Sequence, residues 1–225
     1  GDHVLYTAME HNSVLRPLGA LKRAGLIGAT MIPCSEEGAP DLAFLERSIQ
    51  PHTRLLIVNH ASNVCGTIAP LNEMIKIAHS HGACVLVDAA QSAGVIPIDV
   101  ETSQIDLLAF TGHKGLLGPA GTGGLYVRPG IDLKPWREGG TGSFSEQDLQ
   151  PESMPERLEA GTLNSPGLAG LIEGVNFIEK TGLQQIRNRE MAIYAYLRDK
   201  LARIPGIKLY GPAEPSRCTA VLSLI

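Results

Sequence analysis

The chain has 225 residues, 44% hydrophobic and 19% charged, with a formal net charge of −4. This suits one large soluble domain, or one domain with part of a second, and with Lys and Arg scattered it leaves no electrostatic footprint for nucleic acid or an anionic membrane surface. No apolar run reaches membrane-spanning length, and four cysteines without metal-ligand spacing predict small buried hydrophobes in a reducing compartment, the cytoplasm.

The elements alternate along the chain. Val4 to Ala8 predicts a short strand, and Ser13 then caps a helix whose Val14, Leu18 and Leu21 form one stripe closed by Gly25. A second strand is expected over Ala29 to Pro33. Asp41 is an N-cap candidate for a helix carrying Leu42, Leu45 and Ile49. Leu55 to Val58 is apolar without alternation, as in a strand buried on both faces. Leu71, Met74, Ile75 and Ala78 line one face of the next helix, followed by strands at Cys84 to Val87, Ile105 to Phe110 and Gly124 to Val127. Such alternation predicts an α/β fold with a mostly parallel sheet and helices on both faces.

Pro129 to Gly161 is rich in Gly, Pro, Ser and Glu and predicts a long surface excursion. Pro166 fits the first turn of a helix through Lys180, and Gln184 to Ile204 predicts another, ended by Pro205-Gly206. Residues 1–165 are thus expected to form the large domain. Residues 166–225 would hold connecting helices and the start of a smaller α+β domain, with a strand over Ala220 to Ile225. A start without Met and an end on an apolar strand suggest a piece of a longer protein.

In parallel sheets ligands gather at the carboxyl ends of the strands, and four of these ends carry polar groups. Glu10-His11-Asn12-Ser13 follows the first strand; His11 is either a surface residue or a ring able to stack on a flat ligand. Asn59 to Asn63 follows the third, as an Asx turn or as ligand-orienting amides. Asp88-Ala89-Ala90-Gln91 ends the next strand, where Asp88 is either a local cap or the partner of a cation such as a pyridinium nitrogen. Thr111-Gly112-His113-Lys114-Gly115 follows, with Lys114 either solvated or a crevice amine able to form a Schiff base with an aldehyde cofactor. The flanking glycines are expected to let the backbone approach a ligand.

Taken with Ser62-Asn63-Val64-Cys65-Gly66-Thr67 and Glu159-Ala160-Gly161-Thr162, these runs resemble the class V aminotransferase family, and within it the cysteine desulfurase and selenocysteine lyase group. The resemblance implies a fold-type I enzyme with pyridoxal 5'-phosphate (PLP) as cofactor. It gives Lys114 as the Schiff-base lysine and acid/base, Asp88 on the pyridinium nitrogen, and Gln91 on the phenolic oxygen. His11 would stack on one face of the ring and Ala90 pack on the other. Asn63 would lie near the phenolic oxygen and the substrate carboxylate, Thr111 and His113 on the phosphate, and Thr162 on the phosphate of the partner subunit in a homodimer.

The implied activity takes sulfur from L-cysteine, leaving L-alanine and a persulfide for a sulfur-acceptor protein, as in iron–sulfur cluster assembly. A selenocysteine lyase, a related aminotransferase and a non-catalytic scaffold of the same fold are the alternatives. The family's phosphate loop is expected upstream of His3, and its nucleophilic cysteine and carboxylate-binding arginine beyond Ile225. None of Cys34, Cys65, Cys84 and Cys218 matches that nucleophile.

Overall fold

A computed structural model describes residues 1–225. Its centre is a six-stranded sheet of β1 (Asp2–Thr7), β2 (Ile27–Ile32), β3 (Thr53–Asn59), β4 (Cys84–Asp88), β5 (Leu107–Thr111) and β6 (Gly123–Val127), in the order β2-β1-β3-β4-β5-β6. All neighbours are parallel except β5 and β6, which pair antiparallel across the short Gly-rich return. The expected fold class therefore holds. The expected strands are all present, with ends that shift by at most three residues.

Successive side chains of a strand point to opposite faces, and the core follows that rule. Leu5, Leu56, Val58, Val85 and Val87 enter the main core under α2 (Leu42–Ser48) and α3 (Leu71–Ser80), against Leu45, Met74, Ile75 and Ala78. Val4 and Ile57 point the other way and meet Leu18 of α1 (Asn12–Arg23), with Leu55 and Leu86 beside them. The unbroken apolar run in β3 is the result of serving both faces. Asp41 caps α2 as expected, its carboxylate accepting from the Phe44 N–H at 2.8 Å.

A buried ionic cluster closes the opposite end of the sheet from the loops that follow the strands. Asp106 is fully buried just before β5. Its Oδ2 accepts from the Val85 N–H at 2.7 Å and bonds His79 Nε2 at 2.8 Å, while Arg128 reaches Oδ1 at 2.6 Å. A buried carboxylate needs such partners, and these tie α3, β4 and β6 to one point.

Beyond β6, residues 128–164 contain only a single 3₁₀ turn at Glu156–Leu158. Then come α4 (Ser165–Thr181), with Asn164 as N-cap and Pro166 in the first turn, and α5 (Leu183–Ala202). Two short strands, β7 (Leu209–Tyr210) and β8 (Ser223–Leu224), pair antiparallel. The strand expected over Ala220 to Ile225 is thus only two residues long, because β7 offers no longer edge to pair with. No helix is long and apolar enough to cross a membrane.

Candidate active site

The chain leaves β1 for β2 on one side and returns to β3 on the other, so the sheet reverses its winding between β1 and β3. Ligand crevices open at such reversals, at the carboxyl ends of the strands. Here the crevice is lined by His11, Ser13, Asn59, Asn63, Asp88, Ala90, Gln91 and Lys114, and encloses about 50 Å³. Residues following β1, β3, β4 and β5 thus meet at one place. Six of the nine expected site residues line it: His11, Asn63, Asp88, Ala90, Gln91 and Lys114.

Asp88 ends β4 opposite Asn59 of β3, and its backbone carbonyl accepts from the His60 N–H at 3.0 Å. One carboxylate oxygen accepts from the Ala90 N–H at 2.9 Å, a local turn bond. The other accepts no hydrogen bond from the protein. The local-cap reading of Asp88 thus holds for one oxygen.

Lys114 follows β5, is exposed, and takes part in no ion pair. Its loop is held by packing: a Cβ on Gly112 would meet Thr122 Oγ1 at 2.1 Å, and one on Gly115 would meet the Ala93 carbonyl at 2.5 Å. The glycines around Lys114 therefore admit neighbouring protein, not a ligand as expected. Their gain is to press the lysine loop against the turn that follows Gln91.

His11, not Ser13, is the N-cap of α1. Its Nδ1 accepts from the Ser13 N–H at 3.2 Å and lies 2.9 Å from Ser13 Oγ. Capping occupies one ring nitrogen and fixes the ring at the crevice mouth. Thr111 and His113 stand beside Lys114, bonded to each other at 2.7 Å through Oγ1 and Nδ1, outside the crevice lining. Thr162 is exposed between the 3₁₀ turn and α4, also outside it.

Three further groups, which the sequence places in polar runs without giving each a role, belong to the site. Asn59 lines the crevice and donates from Nδ2 to the Met9 carbonyl at 2.7 Å. Buried His60 bonds Ser92 Oγ through Nδ1 at 3.0 Å, bracing the turn that carries Asp88 and Gln91. Burial lowers its pKa to about 4, so it is a neutral strut at ordinary pH. Glu10 is 6% exposed; its Oε1 accepts from Thr7 Oγ1 and from the Asn59 N–H, each at 2.7 Å. Only polar residues clustered after an apolar strand could have flagged these three.

The loop bearing Asn63 is also pinned. Thr219 N–H donates to the Gly66 carbonyl at 2.8 Å, Ile68 N–H to Arg217 at 2.9 Å, and Arg217 pairs with Glu37 at 3.1 Å. All four cysteines are free. Burial pushes the thiols of Cys34, Cys84 and Cys218 above their ordinary range, and Cys65 is buried beside Thr67.

Known proteins share this architecture. A cysteine desulfurase of Escherichia coli O127:H6 is 39% identical over 222 residues, 95% of this chain and 54% of that protein. The crystal structure of the cysteine desulfurase CsdA of Escherichia coli, in an S-sulfonic acid form, superposes on all of the chain and 56% of its own, with a TM-score of 0.85 and 29% identity. A C-DES variant with glycine covalently linked to its PLP cofactor matches 96% of the chain and 59% of its own, with a TM-score of 0.82 and 27% identity. The chain spans about half the length of the curated relatives it matches. A family model for class-V aminotransferases matches residues 1–224. The chain belongs to the class-V aminotransferase family.

Proposed function

We propose that this chain is the cofactor-bearing part of a pyridoxal-phosphate cysteine desulfurase, which takes sulfur from L-cysteine, leaves L-alanine and passes the sulfur to an acceptor protein. The observation that carries the reading is the meeting of Lys114 and Asp88, from adjacent strands β5 and β4, in one crevice. Three features fit a pyridine aldehyde there: an amine engaged in no ion pair, a carboxylate oxygen left open, and a turn that fixes both. When bound, PLP supplies an electron sink for charge that develops beside the substrate's amino nitrogen.

The chain's own residues then have these parts. Lys114 would hold the cofactor's aldehyde group and serve as the acid/base for the proton at the substrate Cα. Asp88 keeps the ring nitrogen protonated, since an adjacent anion favours the cation. Gln91 and Asn63 orient the phenolic oxygen. His11, held by its capping bond, would stack on one face of the ring, and Ala90, with no side chain beyond Cβ, would pack on the other. Thr111 and His113 hold the phosphate, and Thr162 does so across a homodimer. Residues 1–165 form the large domain in this scheme, and 166–225 the helices and first strands of the small one.

Burial raises the pKa of the Cys34, Cys84 and Cys218 thiols and makes them poor nucleophiles; in this reading the attacking thiolate is the family's own cysteine, which the resemblance places outside these residues. A cytoplasmic setting, with iron–sulfur assembly as the destination of the sulfur, accords with that chemistry. The test is to supply the whole protein with L-cysteine and a reducing thiol, which releases the persulfide sulfur as sulfide, and to measure sulfide and alanine. Equal yields support the desulfurase; transamination without sulfide would assign the site to a sister activity of the family.

A further inference from the structure

The buried acid under the crevice has no part in that scheme. We propose that Glu10, as the neutral carboxylic acid, is a positioning residue for the cofactor site, holding the end of β1 that carries His11 against the end of β3 that carries Asn59 and Asn63. This rests on the proposed cofactor reading of the crevice.

The geometry is a clamp. Oε1 receives the Thr7 hydroxyl from β1 and the Asn59 N–H from β3, and the Asn59 side chain returns a bond to the Met9 carbonyl. His11 follows Glu10 directly, and Asn59 lies in register with Asp88. Any movement of Glu10 therefore shifts two walls of the crevice against the third.

The second oxygen, Oε2, is buried with no hydrogen-bond partner. An ionised carboxylate in that position is costly, and the neutral acid much less so. Burial, reinforced by the Asp88 charge, raises the Glu10 pKa to about 7. The other groups facing it are the Cys34 thiol after β2, itself held neutral by burial, and His11 on the same turn; Lys114 stands across the crevice. Two acids of one site are thus placed in opposed surroundings, Glu10 buried with one oxygen unpartnered and Asp88 lining the crevice. A neutral Glu10 leaves Asp88 the sole anion for a ring nitrogen; an ionised Glu10 would compete for that cation.

The experiment loads the whole protein with PLP, as wild type, Glu10→Gln and Glu10→Ala, and measures the dissociation constant by the visible absorbance band from about pH 6 to pH 8.5. Gln keeps the acceptor oxygen without the titration, so at neutral pH its affinity should stay within about threefold of wild type, whereas Ala should bind about tenfold or more weakly. The wild-type constant should bend near pH 7, and Glu10→Gln should remove the bend. Equal effects of Gln and Ala, or a bend that survives in Glu10→Gln, would overturn the role of Glu10. The pH profile of Glu10→Gln decides the matter even if Glu10→Ala does not fold. A wild type with no visible band at all would overturn the cofactor reading itself, and this inference with it.

Discussion

The buried Glu10 makes a stability prediction that needs no cofactor. Its pKa is about 7 in the fold, against an ordinary 4.5, so the folded chain holds this proton more tightly than the unfolded chain. The stability it contributes is complete below about pH 4.5 and is lost as pH rises through about 7. At about 1.4 kcal/mol per unit, the full swing is about 3 kcal/mol between pH 4 and pH 8.5. Glu10→Gln abolishes this titration while keeping an oxygen for Thr7 and the Asn59 N–H. The new amide brings a fixed offset, but the offset does not change with pH. Urea unfolding of both proteins, freed of cofactor, should show wild type losing about 3 kcal/mol relative to Glu10→Gln across that range. A difference constant to within about 0.5 kcal/mol would refute the claim that burial keeps Glu10 protonated.

Three other perturbations have defined outcomes. Asp106→Ala strands His79, the Val85 N–H and Arg128 at the far end of the sheet, and should cost about 3–5 kcal/mol in urea unfolding; Arg128→Ala, at a half-exposed group, should cost about 1 kcal/mol. Gly112→Ala drives a methyl into Thr122 and should cost about 1–3 kcal/mol, with the larger loss in PLP affinity because the lysine loop must shift. Asp88→Asn removes the charge offered to the ring nitrogen but keeps an oxygen for the Ala90 N–H. The fold's melting temperature should therefore hold while the ring nitrogen's pKa falls, as read by absorbance or by nitrogen NMR.

Much of the fold was legible because it rests on local rules. The Asp41 cap, the stripe Leu71-Met74-Ile75-Ala78 and the doubly apolar β3 each state their structure within a few residues. The site was legible in outline for a related reason, since His11, Asn63, Asp88 and Lys114 each follow an apolar strand, where a parallel sheet gathers its ligands. What escaped depends on contacts between distant segments. Nothing in the string Glu10-His11-Asn12-Ser13 tells that Asn59, 49 positions on, will occupy Glu10 and bury it. The choice of His11 over Ser13 as cap turns on where β1 releases the chain. Gly112 and Gly115 read locally as letting the backbone approach a ligand, but a Cβ at either would run into Thr122 or Ala93. Nothing local to Asp106, within the expected strand Ile105 to Phe110, tells that His79 of α3 and Arg128 after β6 will reach it.

The proposed chemistry turns on one amine. Borohydride reduction of the PLP-loaded whole protein, followed by peptide mass spectrometry, should place a pyridoxyl group on Lys114 alone, and Lys114→Ala should erase both the label and the visible band. A label on any other lysine, or a band that persists in Lys114→Ala, would contradict the account at its centre.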